Sequence, residues 1–345
     1  MLRWSSSYTI PFEHNYDDEP FCINVGKEIW ITSEEYYREN EKRMDMLVFD
    51  TETEEFRSVP CKIDIEYDIV IVSLSSVGNI IYMWSDERGD ENGRILYKMD
   101  ITSLEWVKVI KLDVEGVITN VVIIDNQMYL TAERDVVQLI IIDLSACVIT
   151  QHTLSYKVDV ESVVALTNDK KLYIVQHADY HRIISVIENG RMIRILENDY
   201  GSEKNCPYLF YKDLAGNIVY TDRPNMDLFM QSFNFGTMTW SRADIEPSEQ
   251  FPRSERIKSS CQIGTQIYTI LQSHRPRKYE IQVLEMEPNL TTICLFNLVD
   301  DLEKKKNLNR IQQVENRIPI DLRAKLRNMA SWRNDENFYH RFQNR

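Results

Sequence analysis

Arginine side chains recur along the chain, each in a loop that follows an apolar segment containing an aromatic residue. A guanidinium group can donate two parallel hydrogen bonds to a carboxylate or a phosphate, so converging arginines would bind an acidic or phosphorylated peptide. Exposed aromatic side chains in the same loops would add contact area. The predicted partner-binding residues are Tyr37, Arg38, Trp84, Arg88, Arg134, Tyr180, Arg182, Arg223, Arg275 and Arg277.

These loops also carry acidic side chains, among them Glu34, Glu35 and Asp86. The alternative interpretation is therefore a solvated rim of mixed charge without a ligand.

Catalytic and cofactor motifs are missing from the sequence. There is no glycine-rich phosphate loop and no GxSxG or HExxH motif, so no catalytic residue, no metal site and no cofactor is predicted. The nearest approach to a metal site is His177 and His181 with Asp179 between them. We expect this segment to be a loop with solvated histidines, because loop geometry does not align the two rings and no further ligand is evident.

Six short apolar segments with a central aromatic residue must position the arginine loops. They recur every 44 to 52 residues, and turn-forming residues such as Gly26 and Gly78 precede them. A later strand in each unit ends in a turn, with an apolar residue six positions on, as in Asp50 to Phe56 and Asp100 to Trp106. The six central aromatics are Trp30, Tyr82, Tyr129, Tyr173, Tyr220 and Tyr268.

Repeats of this length predict an all-β fold, a six-bladed β-propeller of four-stranded antiparallel blades. A four-stranded sheet with two apolar faces cannot cover both alone, so successive sheets must stack around an axis. The segment from Ile80-Ile-Tyr-Met-Trp-Ser through Leu96-Tyr-Lys-Met-Asp100 to Trp106 resembles a kelch repeat, although the family's double glycine is replaced in every unit.

The kelch resemblance implies a non-catalytic scaffold or substrate-recognition adaptor that presents one propeller face to a protein ligand. Relatives of this kind often serve ubiquitin ligases or cytoskeletal assemblies. The alternative is a glycan-active or copper-dependent enzyme that uses the axial cavity, since galactose oxidase shares the architecture. No copper-ligand position of that enzyme can be matched here.

The pattern divides the chain into residues 1–21, 22–300 and 301–345. The central part is the predicted propeller, and a strand near Tyr8–Phe12 or Ile293–Leu298 is expected to complete a blade begun at the other terminus. The last part has 11 Lys and Arg against 5 Asp and Glu between residues 303 and 345. A basic amphipathic helix capped by Asp321 is predicted there. Its candidate docking residues are Leu322, Leu326, Met329 and Trp332.

The formal net charge of −14 argues against a nucleic-acid partner. The sequence has no apolar stretch long enough for a signal peptide or a membrane span, so we expect no membrane association except through the basic tail. The six cysteines include no CxxC pair and lie in or beside apolar segments, as buried thiols of a reducing compartment do. We therefore expect a cytoplasmic protein that is monomeric outside its complex.

Overall fold

A computed structural model of the protein describes strands and their connections and, within the described stretches, no helix. The all-β prediction is confirmed. Those stretches also contain no helix that could cross a membrane. The predicted C-terminal helix lies outside them. The described residues are 2–11, 20–32, 37–38, 43–64, 69–87, 93–113, 117–124, 126–133, 137–153, 162–166, 172–178, 181–188, 191–199, 209–212, 218–221, 229–234, 239–244, 256–264, 266–274 and 277–286.

In chain order, the strands are β1 Leu2–Thr9, β2 Phe21–Val25, β3 Glu28–Thr32, β4 Tyr37–Arg38, β5 Arg43–Asp50, β6 Glu55–Ile63, β7 Ile69–Val77, β8 Ile80–Glu87, β9 Gly93–Asp100, β10 Glu105–Asp113, β11 Val117–Ile124, β12 Gln127–Glu133, β13 Val137–Asp143, β14 Val148–Thr153, β15 Ser162–Leu166, β16 Leu172–Ala178, β17 His181–Glu188, β18 Arg191–Asp199, β19 Leu209–Lys212, β20 Ile218–Thr221, β21 Phe229–Asn234, β22 Thr239–Asp244, β23 Arg256–Ile263, β24 Gln266–His274 and β25 Arg277–Met286.

Neighbouring strands pair antiparallel in runs of four that follow chain order. These runs are β2-β3-β5-β6, β7-β8-β9-β10, β11-β12-β13-β14, β15-β16-β17-β18 and β19-β20-β21-β22, with β4 extending the pairing of β5. The first two runs join through a short parallel pairing of β6 with β10. In the last sheet, β23, β24 and β25 are followed by β1, so the N-terminal strand is the fourth strand. All six predicted aromatic segments lie in second strands: β3, β8, β12, β16, β20 and β24.

The central strands are apolar on both faces, as strands buried on both sides must be. In β5, Met46 and Val48 belong to one buried cluster, and Leu47 and Phe49 belong to another. The first cluster joins the sheet of β5 to the sheet of β7–β10, and the second joins it to the sheet of β23–β25. A third cluster packs Tyr82 and other residues of β8–β10 against β12 and β13. The last, first, second and third sheets therefore stack face to face.

The first strands of successive sheets also contact one another. β23 contacts β2, β2 contacts β7, β7 contacts β11, and β11 contacts β15. The last sheet in the chain is thus a direct neighbour of the first.

Two tight turns meet at one end of each of the first three sheets, which we call the turn end. Gly26 and Gly78 begin two-residue turns between the first and second strands, with φ of 59° and 55°. The positive backbone angle favours glycine at both positions. Lack of space is not the reason, because nothing lies within 4 Å of an added Cβ. The first residue after the third strand donates a backbone hydrogen bond across to this turn, as Thr51 does to the Lys27 carbonyl at 3.2 Å. Ile101 and Leu144 repeat the contact in the next two sheets.

The second turn of the turn end begins with a capping aspartate. Asp100 accepts hydrogen bonds from the Thr102 backbone amide at 2.8 Å and from its hydroxyl at 2.7 Å. Asp50 and Asp143 occupy the same position. These hydrogen bonds lower the pKa of all three carboxyl groups, because they stabilise the charged form. The fourth residue after each aspartate has a left-handed backbone, with φ of 60° at Glu54, 55° at Leu104 and 55° at Cys147.

This geometry explains the second repeated feature of the sequence. The turn folds the chain back so that the apolar residue six positions after the aspartate pairs with the residue before it. Phe56 pairs with Phe49, and Trp106 pairs with Met99.

Three of the described cysteines are buried and free, namely Cys22, Cys61 and Cys261. Burial raises the pKa of the Cys61 thiol to about 12. The expectation of burial is wrong for Cys147, which is exposed. Its place in the left-handed corner of a surface turn keeps the side chain out of the apolar sheet faces. Cys206 and Cys294 lie outside the described residues.

Candidate functional site

The connections between second and third strands lie at the end of each sheet opposite the turn end. We call this end the arginine end, because several arginines lie in or begin strands there, namely Arg38, Arg43, Arg94, Arg182 and Arg277. Tyr37 and Arg38 form β4 and pair with Met44 and Arg43 of β5, so they belong to a strand and not to an open loop. Outside the described residues lie Arg88, Arg134, Tyr180, Arg223 and Arg275, together with the tail residues Leu322, Leu326, Met329 and Trp332.

An arginine occupies the first or second position of four third strands. Arg43 begins β5 and Arg277 begins β25, while Arg94 and Arg182 are the second residues of β9 and β17. Arg182 and Arg277 were predicted to lie in loops. The structure moves them to strand ends, where β-sheet pairing fixes the backbone that carries them. Arg182 pairs with His177, and Arg277 pairs with His274.

Arg43 shows how a guanidinium group is held at this end. Its Nε lies 2.7 Å from Oδ1 of Asp45, and its Nη2 donates to Oδ2 at 3.0 Å. Two contacts between planar groups fix the orientation of the guanidinium. The Arg43 side chain retains 38% exposure, so part of it faces solvent.

Arg94 is the most unusual residue of the arginine end, with a residue exposure of only 7%. Its Nε lies 3.0 Å from Oδ1 of Asp86, the residue opposite it on β8. Its Nη1 is buried and has no hydrogen-bond partner within the described part of the chain. Leaving a charged donor buried and unsatisfied costs stability, which an anionic or carbonyl acceptor supplied by a ligand would recover.

The prediction that Trp84 is an exposed binding residue is wrong. β8 runs on to Glu87, so Trp84 lies inside the strand and is 1% exposed. Its indole Nε1 donates to Sδ of Met128 at 3.3 Å in the cluster between the second and third sheets. Alternation along the strand explains the difference, because Tyr82 and Trp84 share the face that meets the next sheet.

The predicted histidine loop is also shorter than expected. His177 lies in β16 and His181 begins β17, with Ala178 paired to His181. Among the described residues, no group of three histidine, cysteine, aspartate or glutamate side chains could hold a metal ion.

Comparison with known proteins gives a fold and no family. No protein-family profile matches the chain, and no curated protein matches it. A crystal structure of a protein of unknown function from Dyadobacter fermentans DSM 18053 aligns with 10% sequence identity and a TM-score of 0.53, covering 83% of this chain and 99% of that one. The SapL1 lectin in complex with alpha methyl fucoside aligns at 10% identity and a TM-score of 0.48, covering 77% of this chain and 95% of that one. At such low identity the first of these similarities concerns the fold alone.

Sequence reasoning missed Arg94, although a signal for it exists. Arg94 is found when residues are counted from the start of the third strand, where Arg43, Arg182 and Arg277 are also first or second residues. Counting from the end of the second strand led instead to Arg88, which lies in a connection of different length.

Proposed function

We propose that the protein is a six-bladed β-propeller that binds a protein ligand and has no catalytic role. Face-to-face packing of the last, first, second and third sheets supports this architecture. So do the contacts between successive first strands, which would line a central channel. The pairing of β1 with β25 provides the fourth strand of the last sheet from the opposite terminus, as closure of a ring requires.

The ligand-binding face in this proposal is the arginine end. The observation that carries it is the recurrence of an arginine at the start of four third strands, in a chain whose net charge is −14. Arginines repeated at the same end of several sheets would place positive charge at that end of an otherwise acidic protein. The buried Nη1 of Arg94, which has no hydrogen-bond partner within the described residues, is available to a carboxylate or phosphate oxygen.

The ligand is therefore an acidic or phosphorylated peptide segment of another protein. The kelch resemblance of the repeat from Ile80 to Trp106 adds the expectation of an adaptor role in a ubiquitin ligase or a cytoskeletal assembly. In that role the protein selects a partner and does no chemistry on it.

Affinity purification from cells tests the binding face. Wild-type protein is compared with an Arg182→Ala, Arg277→Ala double variant and with Arg57→Ala as the matched control. Arg57 lies at the turn end, where it contacts Glu28 and stands 5.7 Å from the centre of the Trp30 ring. Arg94 is left intact, because its burial would confuse loss of binding with loss of folding.

The proposal expects the double variant to lose the main partner, while the control keeps it. Retention of every partner by the double variant would refute the assignment of this face. Loss from both variants would point to the turn end or to general destabilisation, and a thermal melt of each protein separates those two outcomes.

A further inference from the structure

Two thiols are buried where the first sheet packs against the last. Cys22 lies on β2 with 6% exposure, and Cys261 lies on β23 with 5% exposure. Both belong to the apolar cluster that joins these two sheets. The residues are far apart in the chain, so their meeting depends on the packing of its two ends.

The strand geometry brings the two cysteines to the same contact between sheets. The backbone amide of Cys22 donates to Oγ of Ser259 at 3.0 Å, which places Cys22 against β23. Ser259 and Cys261 are two residues apart and therefore lie on the same face of that strand. Both thiols therefore lie in the one apolar cluster at this contact, close enough for Cys22 to raise the pKa of the Cys261 thiol.

We propose that Cys22 and Cys261 are an oxidative modification site, at which an intramolecular disulfide joins the first sheet to the last. With hydrogen peroxide as the oxidant, one thiol sulfur takes an oxygen atom to form a sulfenic acid and releases water. The second thiol then displaces the hydroxyl as a second water, and the sulfur–sulfur bond forms. The two thiols lose two electrons and two protons in total, and the peroxide is reduced to two water molecules.

Burial sets the rate of this reaction. The neighbouring Cys22 side chain and the apolar surroundings raise the pKa of the Cys261 thiol well above its ordinary value. Because the thiolate is the reactive form, oxidation is slow while the first and last sheets are packed together. Partial separation of the two sheets admits oxidant and solvent, so oxidation is faster in urea below the unfolding transition. The disulfide then prevents the two sheets from separating further.

Peptide mapping of the protein after peroxide treatment tests the proposal. A Cys147→Ser background removes the exposed thiol, which would otherwise join separate molecules. After remaining thiols are alkylated, we expect the Cys22 and Cys261 peptides as one linked species that dithiothreitol separates. Recovery of both peptides unlinked, as alkylated thiols or as sulfinic acids, would overturn the proposal, as would linkage to Cys206 or Cys294.

Denaturation in urea then tests whether the disulfide stabilises the packing of the first sheet against the last. Because the linkage closes most of the chain into a loop, the oxidised protein should unfold at a higher urea concentration than the reduced one. The shift should disappear in Cys22→Ser and in Cys261→Ser and persist in Cys61→Ser, a matched change of another buried thiol. A disulfide-linked protein whose urea midpoint is unchanged would overturn the proposal that the disulfide holds the two sheets together. The peptide map uses no change at Cys22 or Cys261 and therefore does not depend on the folding of those variants.

Discussion

Single residues at the turn end set local backbone geometry that the sheets then repeat. The aspartates at positions 50, 100 and 143 each hold a turn whose fourth residue is left-handed. The sequence indicated the turn and the apolar residue beyond it. It did not indicate which residue would take the left-handed conformation, since Glu54, Leu104 and Cys147 share no side-chain chemistry.

The capping aspartates give the protein a stability term that depends on pH. Their folded pKa values are lowered, so the stabilisation is complete above the unfolded value near 4 and is lost as pH falls through the folded values. In Asp100→Asn the amide keeps an acceptor but cannot titrate. We expect urea midpoints of wild type and this variant to converge as pH falls below about 4. A constant difference from pH 7 to 3 would contradict the assignment.

The left-handed backbone of Cys147 predicts a stabilising substitution. An ordinary side chain in this conformation is strained, and Cys147 is exposed, so little packing is lost when it is removed. Cys147→Gly should raise the free energy of unfolding by about 1 kcal/mol, after allowing for the greater entropy of an unfolded glycine. Leu104→Gly is the contrasting change, because Leu104 packs against the core and its loss offsets the relief. Chemical denaturation of both variants measures the difference.

Sequence patterns predicted where the strands lie along the chain better than they predicted the residues at which the strands end. The six aromatic segments all became second strands because their apolar character is local and strong. The ends of β8, β16 and β17 were misplaced because polar residues such as Ser85 and His177 read as loop. In the structure, Ser85 is fully buried and pairs with Ile95, which shows that sheet pairing overrides local polarity at strand ends.

The contacts between sheets predict where substitutions are costly. Leu130 of β12 is fully buried in the cluster between the second and third sheets. Leu130→Ala should lower the free energy of unfolding by roughly 2–5 kcal/mol, through lost burial and the cavity left behind. Val148→Ala on the fourth strand β14 should change it by less than about 0.5 kcal/mol, because Val148 is exposed. Comparable losses in both variants, measured by chemical denaturation, would argue against face-to-face packing at β12.

At the scale of the molecule, the N-terminal strand ties the two ends of the chain together. β1 pairs along β25 from Leu2 with Met286 to Thr9 with Glu280, and Ile10 donates to the Tyr279 carbonyl at 2.9 Å. Sequence analysis proposed a closing strand near Tyr8–Phe12 or Ile293–Leu298. It could not choose between them, because pairing between distant segments leaves no local signal.

Removing β1 should therefore weaken the whole fold. Deletion of residues 1–10 exposes the edge of β25 and removes the buried Ile10 side chain from the cluster between the last and first sheets. We expect a lower thermal midpoint and greater aggregation, since an unpaired edge strand invites pairing with other molecules. A synthetic peptide of residues 1–11 added in trans should restore part of the midpoint. An unchanged midpoint in the truncated protein would contradict the closing role of β1.

Pairwise distances between spin labels test the ring of six sheets directly. Each variant carries two introduced cysteines for labelling, in a background lacking Cys147, Cys206 and Cys294. The labelled positions are Ser7, Ser58, Val148 and Ile193, on the fourth strands of the last, first, third and fourth sheets respectively. In a closed ring the Ile193–Ser7 pair and the Ser58–Val148 pair are each two sheets apart, so we predict similar distances. Ser7 and Val148 lie opposite and should be farthest apart. An Ile193–Ser7 distance longer than the Ser7–Val148 distance would mean an open stack and would contradict the propeller.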